Sequence, residues 1–97
     1  MQRYATQGIN HTLSLPEQLI LWNLYDTMNI SEKDYLQVFK LERQYHRNGK
    51  AAQKITHSQE VPPYSKAFTF QFTNPVDTKV FIINDTTHET MLLANEY

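Results

Sequence analysis

The chain has 97 residues, a formal net charge of −1, 40% hydrophobic and 12% aromatic residues, and no cysteine. That length fits a single domain around one core, residues 1–97. The missing thiols exclude disulfides, thiolate metal sites and cysteine nucleophiles, and the near-zero charge gives no overall field favouring nucleic acid or an anionic membrane. Polar sequence follows Met1 in place of an apolar signal core, and no run reaches membrane-spanning length. A cytoplasmic location without membrane contact is therefore expected, in keeping with a chain free of disulfides.

In chain order, Arg3 to Ile9 reads as a first short strand with Gly8 as a bend or bulge, and Asn10-His11-Thr12 as a connector. Ser14 to Met28 is the one strong helix. Ser14 followed by Glu17 before an apolar run is a capping-box pattern, Pro16 fits the first turn, and Glu17 complements the helix dipole. At about 100° per residue, Leu15, Leu19 and Trp22 form one line, and Ile20, Leu21, Leu24, Tyr25 and Met28 a second, broader arc. A helix on one core needs a stripe only a little over ~100° wide. Two readings remain: a helix sunk between a sheet and covering loops, or one whose second face meets a partner. A short chain has little material to cover both faces, so Ile20, Trp22, Leu24, Tyr25 and Met28 are the candidate partner interface, and a homodimer is the expected partner arrangement.

Ser31 to Asp34 reads as a loop. Tyr35 to Leu41, extending toward Tyr45 or His46, is rich in strand formers. Asn48-Gly49 then predicts a two-residue type I′ hairpin turn with positive φ at both residues. That turn sets Arg43 opposite Lys54, Leu41 opposite Thr56, His46 opposite Ala51 and Lys40 opposite His57, with a return strand from Ala51 to Val61. The outer half of this hairpin is polar and should project from the body. Pro62-Pro63 ends the strand. Ala67 to Phe72 alternates, with Phe68, Phe70 and Phe72 on one face, and Asn74-Pro75 is a turn. Thr78 to Asn84 is apolar on both faces, as a central strand is. Asp85 to His88 is a turn, and Thr90 to Ala94 returns as a strand, although Met91 to Glu96 is also acceptable helix sequence. The expected fold is α+β: one N-terminal helix packed on a mainly antiparallel sheet of about five or six strands.

Several segments of this order resemble a known family. They are Tyr4-Ala5-Thr6 with Gly8-Ile9, Leu21-Trp22, Asp34 to Phe39, Gln59-Glu60-Val61-Pro62, Val80 to Asp85, and Thr90 to Ala94 with Glu96-Tyr97. Together they resemble the short domain-of-unknown-function proteins of staphylococci and related Gram-positive bacteria, over nearly the whole chain. The resemblance implies a bacterial cytoplasmic origin and a stand-alone domain, and it transfers no catalytic or binding residue. It also leads one to expect a glycine in the turn after the acidic residue, where this chain has Asp85-Thr86-Thr87.

No residue pattern amounts to a catalytic signature, and a non-enzymatic protein is expected. Asp85, His88 and Glu89 share a turn, but a metal there needs further ligands that no spaced cluster supplies. A polar turn in which Asp85 bonds nearby amides is the better reading. His11, His46, His57 and His88 have no metal-binding spacing. Val61-Pro62-Pro63-Tyr64 lacks the extra residue of a typical WW-domain ligand and reads as a rigid strand end. Gly8 and Gly49 are the only glycines, which leaves no phosphate-cradling loop, and no cofactor or small-molecule substrate is indicated. The serines have no nucleophile-elbow context.

One charge feature stands out. Lys40, Arg43, Arg47, Lys50 and Lys54 lie in a window whose only acid is Glu42, net +4, so the remaining residues carry −5. A basic ribbon can grip phosphates, which makes these five residues the candidate nucleic-acid contact. A solvated hairpin whose lysines protect an exposed edge is the favoured reading over nucleic acid, and a contact with an acidic surface of a second subunit is open as well.

Overall fold

The computed structural model describes residues 1–97. Strand β1 (Gln2–Ala5) leads into helices α1 (Gln7–Thr12) and α2 (Leu15–Thr27), and five strands follow: β2 (Leu36–Tyr45), β3 (Ala51–Gln59), β4 (Tyr64–Gln71), β5 (Thr78–Asn84) and β6 (His88–Leu93). A single helical turn, Ala94–Glu96, closes the chain. The strands form one six-stranded sheet in the order β1-β6-β5-β2-β3-β4. No helix is long and apolar enough to cross a membrane.

The α+β class and the predominance of antiparallel pairs agree with the sequence, but there are two helices, and β1 pairs parallel with β6. The parallel pair arises because α1 and α2 carry the chain across the sheet; hairpins alone could not. The expected strand through Ile9 stops at Ala5. Thr6 caps α1, its hydroxyl accepting from the Ile9 amide at 3.2 Å. Gly8 lies in this helix and is no bulge: a Cβ there would sit 2.6 Å from the Glu96 carboxylate, which accepts from Thr6 and from the Leu93 amide.

α2 begins as the sequence indicates. The Ser14 hydroxyl accepts from the Glu17 amide at 3.4 Å, and Pro16 lies in the first turn. The reciprocal half of the capping box is missing, because the Glu17 carboxyl turns into the protein and leaves Oε2 without a partner. Leu21, Leu24 and Tyr25 join Ile9 and Leu13 on Phe39, Leu41, Ile55, Val80, Ile82 and Met91 to form the core. All six of these strand residues project from the same side of the sheet, as the period of two and the cross-strand register require. Both helices therefore cover one face and leave the other bare.

The β2–β3 hairpin differs from expectation in its turn. Gly49 alone has positive φ, +80°, while Asn48 keeps an ordinary conformation. The Gly49 amide donates to the His46 carbonyl and the His46 amide to the Lys50 carbonyl, both at 2.9 Å. The loop is thus a type I turn followed by a glycine bulge, one residue longer than a type I′ turn. The pairing shifts by one residue: Leu41 opposes Ile55, Phe39 opposes His57 and Arg43 opposes Gln53. A shift of one sends every β3 side chain to the other face, so Gln53, Ile55, His57 and Gln59 are buried beneath the helices while Lys54, Thr56 and Ser58 face the bare side.

Candidate functional site

The bare face is built from alternate residues of the strands. Leu36 opposes Ile83 and Val38 opposes Phe81 across β2 and β5, and Phe81 opposes Leu92 across β5 and β6. Adjacent apolar pairs of this kind normally pack beneath another layer. Here Leu92 is buried and the other four are half-buried; the Tyr97 ring stands edge-on to Phe81 at 5.6 Å and is itself 69% exposed. At the β1 edge, Tyr4 lies edge-on to His88 at 5.3 Å.

Charge is divided between the two ends of this face. At the hairpin end Lys40 and Lys79 stand directly opposite each other on β2 and β5, with Lys54 on β3 opposite Glu42. Like charges facing each other across a ladder are unfavourable, and neither Lys40 nor Lys79 forms an ion pair within the chain. At the other end Asp34 and Glu60 approach Tyr35. The Tyr97 side chain first, and these two carboxylates further, hold the Tyr35 phenol above its ordinary pKa. Asp34, Leu36, Val38, Ser58 and Glu60 line a cavity of about 260 Å³ beside it. The face thus runs from a lysine end, over an apolar middle, to an acidic end.

The residues singled out in the sequence are distributed differently from the two groupings expected. Of the helix set, Leu24, Tyr25 and Met28 face the sheet and are buried, and Ile20 and Trp22 are half-buried. Arg3 lies 4.6 Å over the Trp22 ring. The outward apolar positions of α2 are instead Leu15 and Leu19, 65% and 58% exposed. α2 sets its Leu21–Leu24–Met28 line on the sheet and turns the Leu15–Leu19 line to solvent. Of the five basic residues, Arg43 points to the helix side. Its Nε donates to the Pro75 carbonyl at 2.9 Å and its guanidinium pairs with Asp77 at 3.7 Å. Lys40 and Lys54 are on the bare face, and Arg47 and Lys50 are at the hairpin tip. The five do not form one surface.

Asp85 and His88 do meet, at 3.0 Å. Asp85 Oδ1 also accepts from the Thr87 and His88 amides and the Thr87 hydroxyl, and these bonds, those of His88 first, hold its carboxyl below the usual range. This is the self-bonded polar turn. Glu89 points to the other face, where it accepts from Arg3 Nε at 2.9 Å and from the Tyr25 hydroxyl at 2.6 Å. Burial, then the Glu89 bond, pushes the Tyr25 phenol up to about 12. Arg3 also pairs with Asp26, tying β1 to α2 and β6.

Three glutamines that carry no sequence signal organise the remaining polar core. Gln53 donates to the Glu42 and Val76 carbonyls and accepts from the Val76 amide, pinning the β4–β5 connection. Gln59 accepts from the Asp34 amide and donates to the Glu32 and Pro62 carbonyls. Gln37 donates to Gln59, so its oxygen at 2.8 Å from His57 Nε2 must accept. That fixes His57 as the Nε2–H tautomer and leaves Nδ1 as a buried acceptor without a partner. The ring stacks on Phe39 at 4.2 Å, and burial pushes its pKa down to about 4. Only the true hairpin register, which a two-residue turn conceals, would have placed these side chains inside.

The chain matches, over residues 2–96, the family described as staphylococcal protein of unknown function, DUF960. A crystal structure of a protein of unknown function from Enterococcus faecalis is similar throughout, with 25% identity and a TM-score of 0.79 over 99% of this chain and 90% of that one. No curated protein matches significantly.

Proposed function

Since the chain belongs to the staphylococcal DUF960 family, whose function is unknown, its role is read from its own surface, and we propose that it is a non-enzymatic protein-interaction domain that forms a homodimer through the bare face of its sheet. The observation that carries this reading is the half-buried apolar block of Leu36, Val38, Phe81 and Ile83 at the centre of the sheet, on the face that neither α1 nor α2 covers. Five strand spacings make the face about 24 Å wide, with roughly 20 Å of usable strand length. The resulting projected area of roughly 500 Å², larger once side-chain relief is counted, approaches the ~800 Å² per partner of a standard interface. Contact in place of catalysis is supported by the sealed position of His57 and by the consumption of Asp85 in its own turn. The bacterial cytoplasm suits a chain without cysteine.

Sedimentation velocity tests the reading. The wild type should sediment as a dimer at micromolar concentration, and Phe81→Glu as a folded monomer. A wild-type monomer, or a dimer indifferent to Phe81→Glu, overturns it. The unpaired Lys40 and Lys79 favour a second reading, a nucleic-acid contact on the same face joined by Lys54, Arg47 and Lys50. Such binding would weaken steeply with salt, and its absence at low salt ends that reading.

A further inference from the structure

Building on the homodimer reading, we infer that the second copy lies antiparallel on the first, with the two-fold axis between the sheets and across the strands, so that the Lys40–Lys79 end of each copy meets the Asp34–Glu60 end of the other. Bringing two identical faces together by a two-fold rotation requires an axis lying in the plane between them. If the axis runs along the strands, lysine end lies on lysine end and acidic end on acidic end. If it runs across them, opposite charges meet at both ends.

The spacing on the strands fits the second arrangement. Asp34 lies just before β2 begins at Leu36 and precedes Lys40 by six positions, roughly 20 Å at an extended rise. Their midpoint is the level of Gln37, between the Leu36–Ile83 pair and the Val38–Phe81 pair. An axis there places the Leu36–Ile83 pair of one copy on the Val38–Phe81 pair of the other, so the apolar block covers itself. The sheets then pack aligned, within about 30° of each other, as face-to-face sheets do. The Lys40–Lys79 juxtaposition, unfavourable in the single chain, becomes a clamp for carboxylates, and the acidic rim around Tyr35 gains cations. Leu15 and Leu19 on α2 offer no such pattern of charge.

Charge reversal tests this. One variant carries Lys40→Glu with Lys79→Glu. The other carries Glu60→Lys with Asp34→Asn, the asparagine keeping an acceptor for the Val61 amide that Asp34 now serves. Thermal melts establish that both fold, and Lys79→Gln alone gives a milder form of the first. In sedimentation equilibrium at low salt, each variant should associate at least tenfold more weakly than the wild type. An equimolar mixture of the two should recover a dimer, because an all-acidic face then meets a more basic one. Variants that dimerise as tightly as the wild type, or a mixture that recovers nothing, overturn the antiparallel pairing while leaving self-association through the face in place. A wild type that is monomeric throughout removes the homodimer reading itself. If that monomer binds a single-stranded oligonucleotide and the lysine variant does not, the lysine end serves phosphates and the inference is overturned as well.

Discussion

Single side chains carry opposing demands in this fold, and Glu17 and His57 show it most clearly. Glu17 sits in the first turn of α2, where a carboxylate helps the dipole, yet it is turned inward beside Phe72 and Val76 around a cavity of about 290 Å³. Burial raises its pKa to about 7. The folded state therefore holds its proton more tightly than the unfolded chain, so this contribution to stability is complete below the ordinary carboxylate pKa and is lost as pH rises through about 7. Glu17→Gln keeps the shape without the charge. It should raise stability at pH 8 by about 1–3 kcal/mol and change the melt little at pH 4, as thermal denaturation at the two pH values would show. His57 has the opposite sign. Its folded pKa is lowered to about 4, so its contribution is present above the ordinary histidine value and is lost as pH falls toward 4. In the Glu17→Gln background, stability should therefore rise between pH 4 and 6.5. Thr86 is the third case, a β-branched residue at φ 78° in the β5–β6 turn, where the family resemblance leads one to expect glycine. The left-handed conformation costs a non-glycine residue about 1–2 kcal/mol, partly offset by the greater flexibility glycine gives the unfolded chain. Thr86→Gly should stabilise by roughly 0.5–1 kcal/mol, read as a higher urea midpoint with an unchanged slope.

At the scale of elements, the sequence revealed how many strands there are better than how they register. β2, β3, β4, β5 and β6 all fall where β-formers and turn residues place them, and the strand reading of Thr90 to Leu93 holds before the final helical turn. The β3 faces were not legible. Gln53, Ile55, His57, Gln59 and Lys54, Thr56, Ser58 are nearly equal in polarity, so no hydrophobic alternation could correct a one-residue difference in turn length. Only Gly49, at φ +80°, decides it. Gly49→Ala should cost about 1–2 kcal/mol for the left-handed backbone alone, measured by denaturant unfolding, with no clash to blame because nothing lies within 4 Å of the added methyl. Periodicity also found α2 without choosing its buried side, because both lines of the helix are apolar. Leu21 is fully buried and Leu19 is 58% exposed. Leu21→Ala should cost about 2–5 kcal/mol and Leu19→Ala less than ~1 kcal/mol, a contrast that denaturant midpoints resolve. The short helix α1 lay beyond reach for another reason: Glu96, which accepts from its cap residue Thr6, lies ninety positions away.

The whole molecule is a two-layer domain covered on one side. The excess of apolar residues in the sequence pointed to an unfilled contact but located it on the helix. In the fold, Leu21, Leu24, Tyr25 and Met28 of the helix pack on the sheet, and half-buried apolar pairs from β2, β5 and β6 line up on the opposite sheet face, the face proposed above for self-association. The charge split changed meaning in the same way. The basic window divides among the hairpin tip, the helix side and the bare face, and Lys79 from a distant strand joins Lys40 there. The most direct test is to follow backbone amide shifts of isotope-labelled protein by NMR as it is diluted from millimolar to micromolar concentration. Amides of β2 and β5 around Leu36, Val38, Phe81 and Ile83 should move with dilution, while those of α2 around Leu15 and Leu19 stay fixed. Movement confined to α2, or no movement in a protein whose rotational correlation time is that of a monomer, would contradict self-association through the bare face.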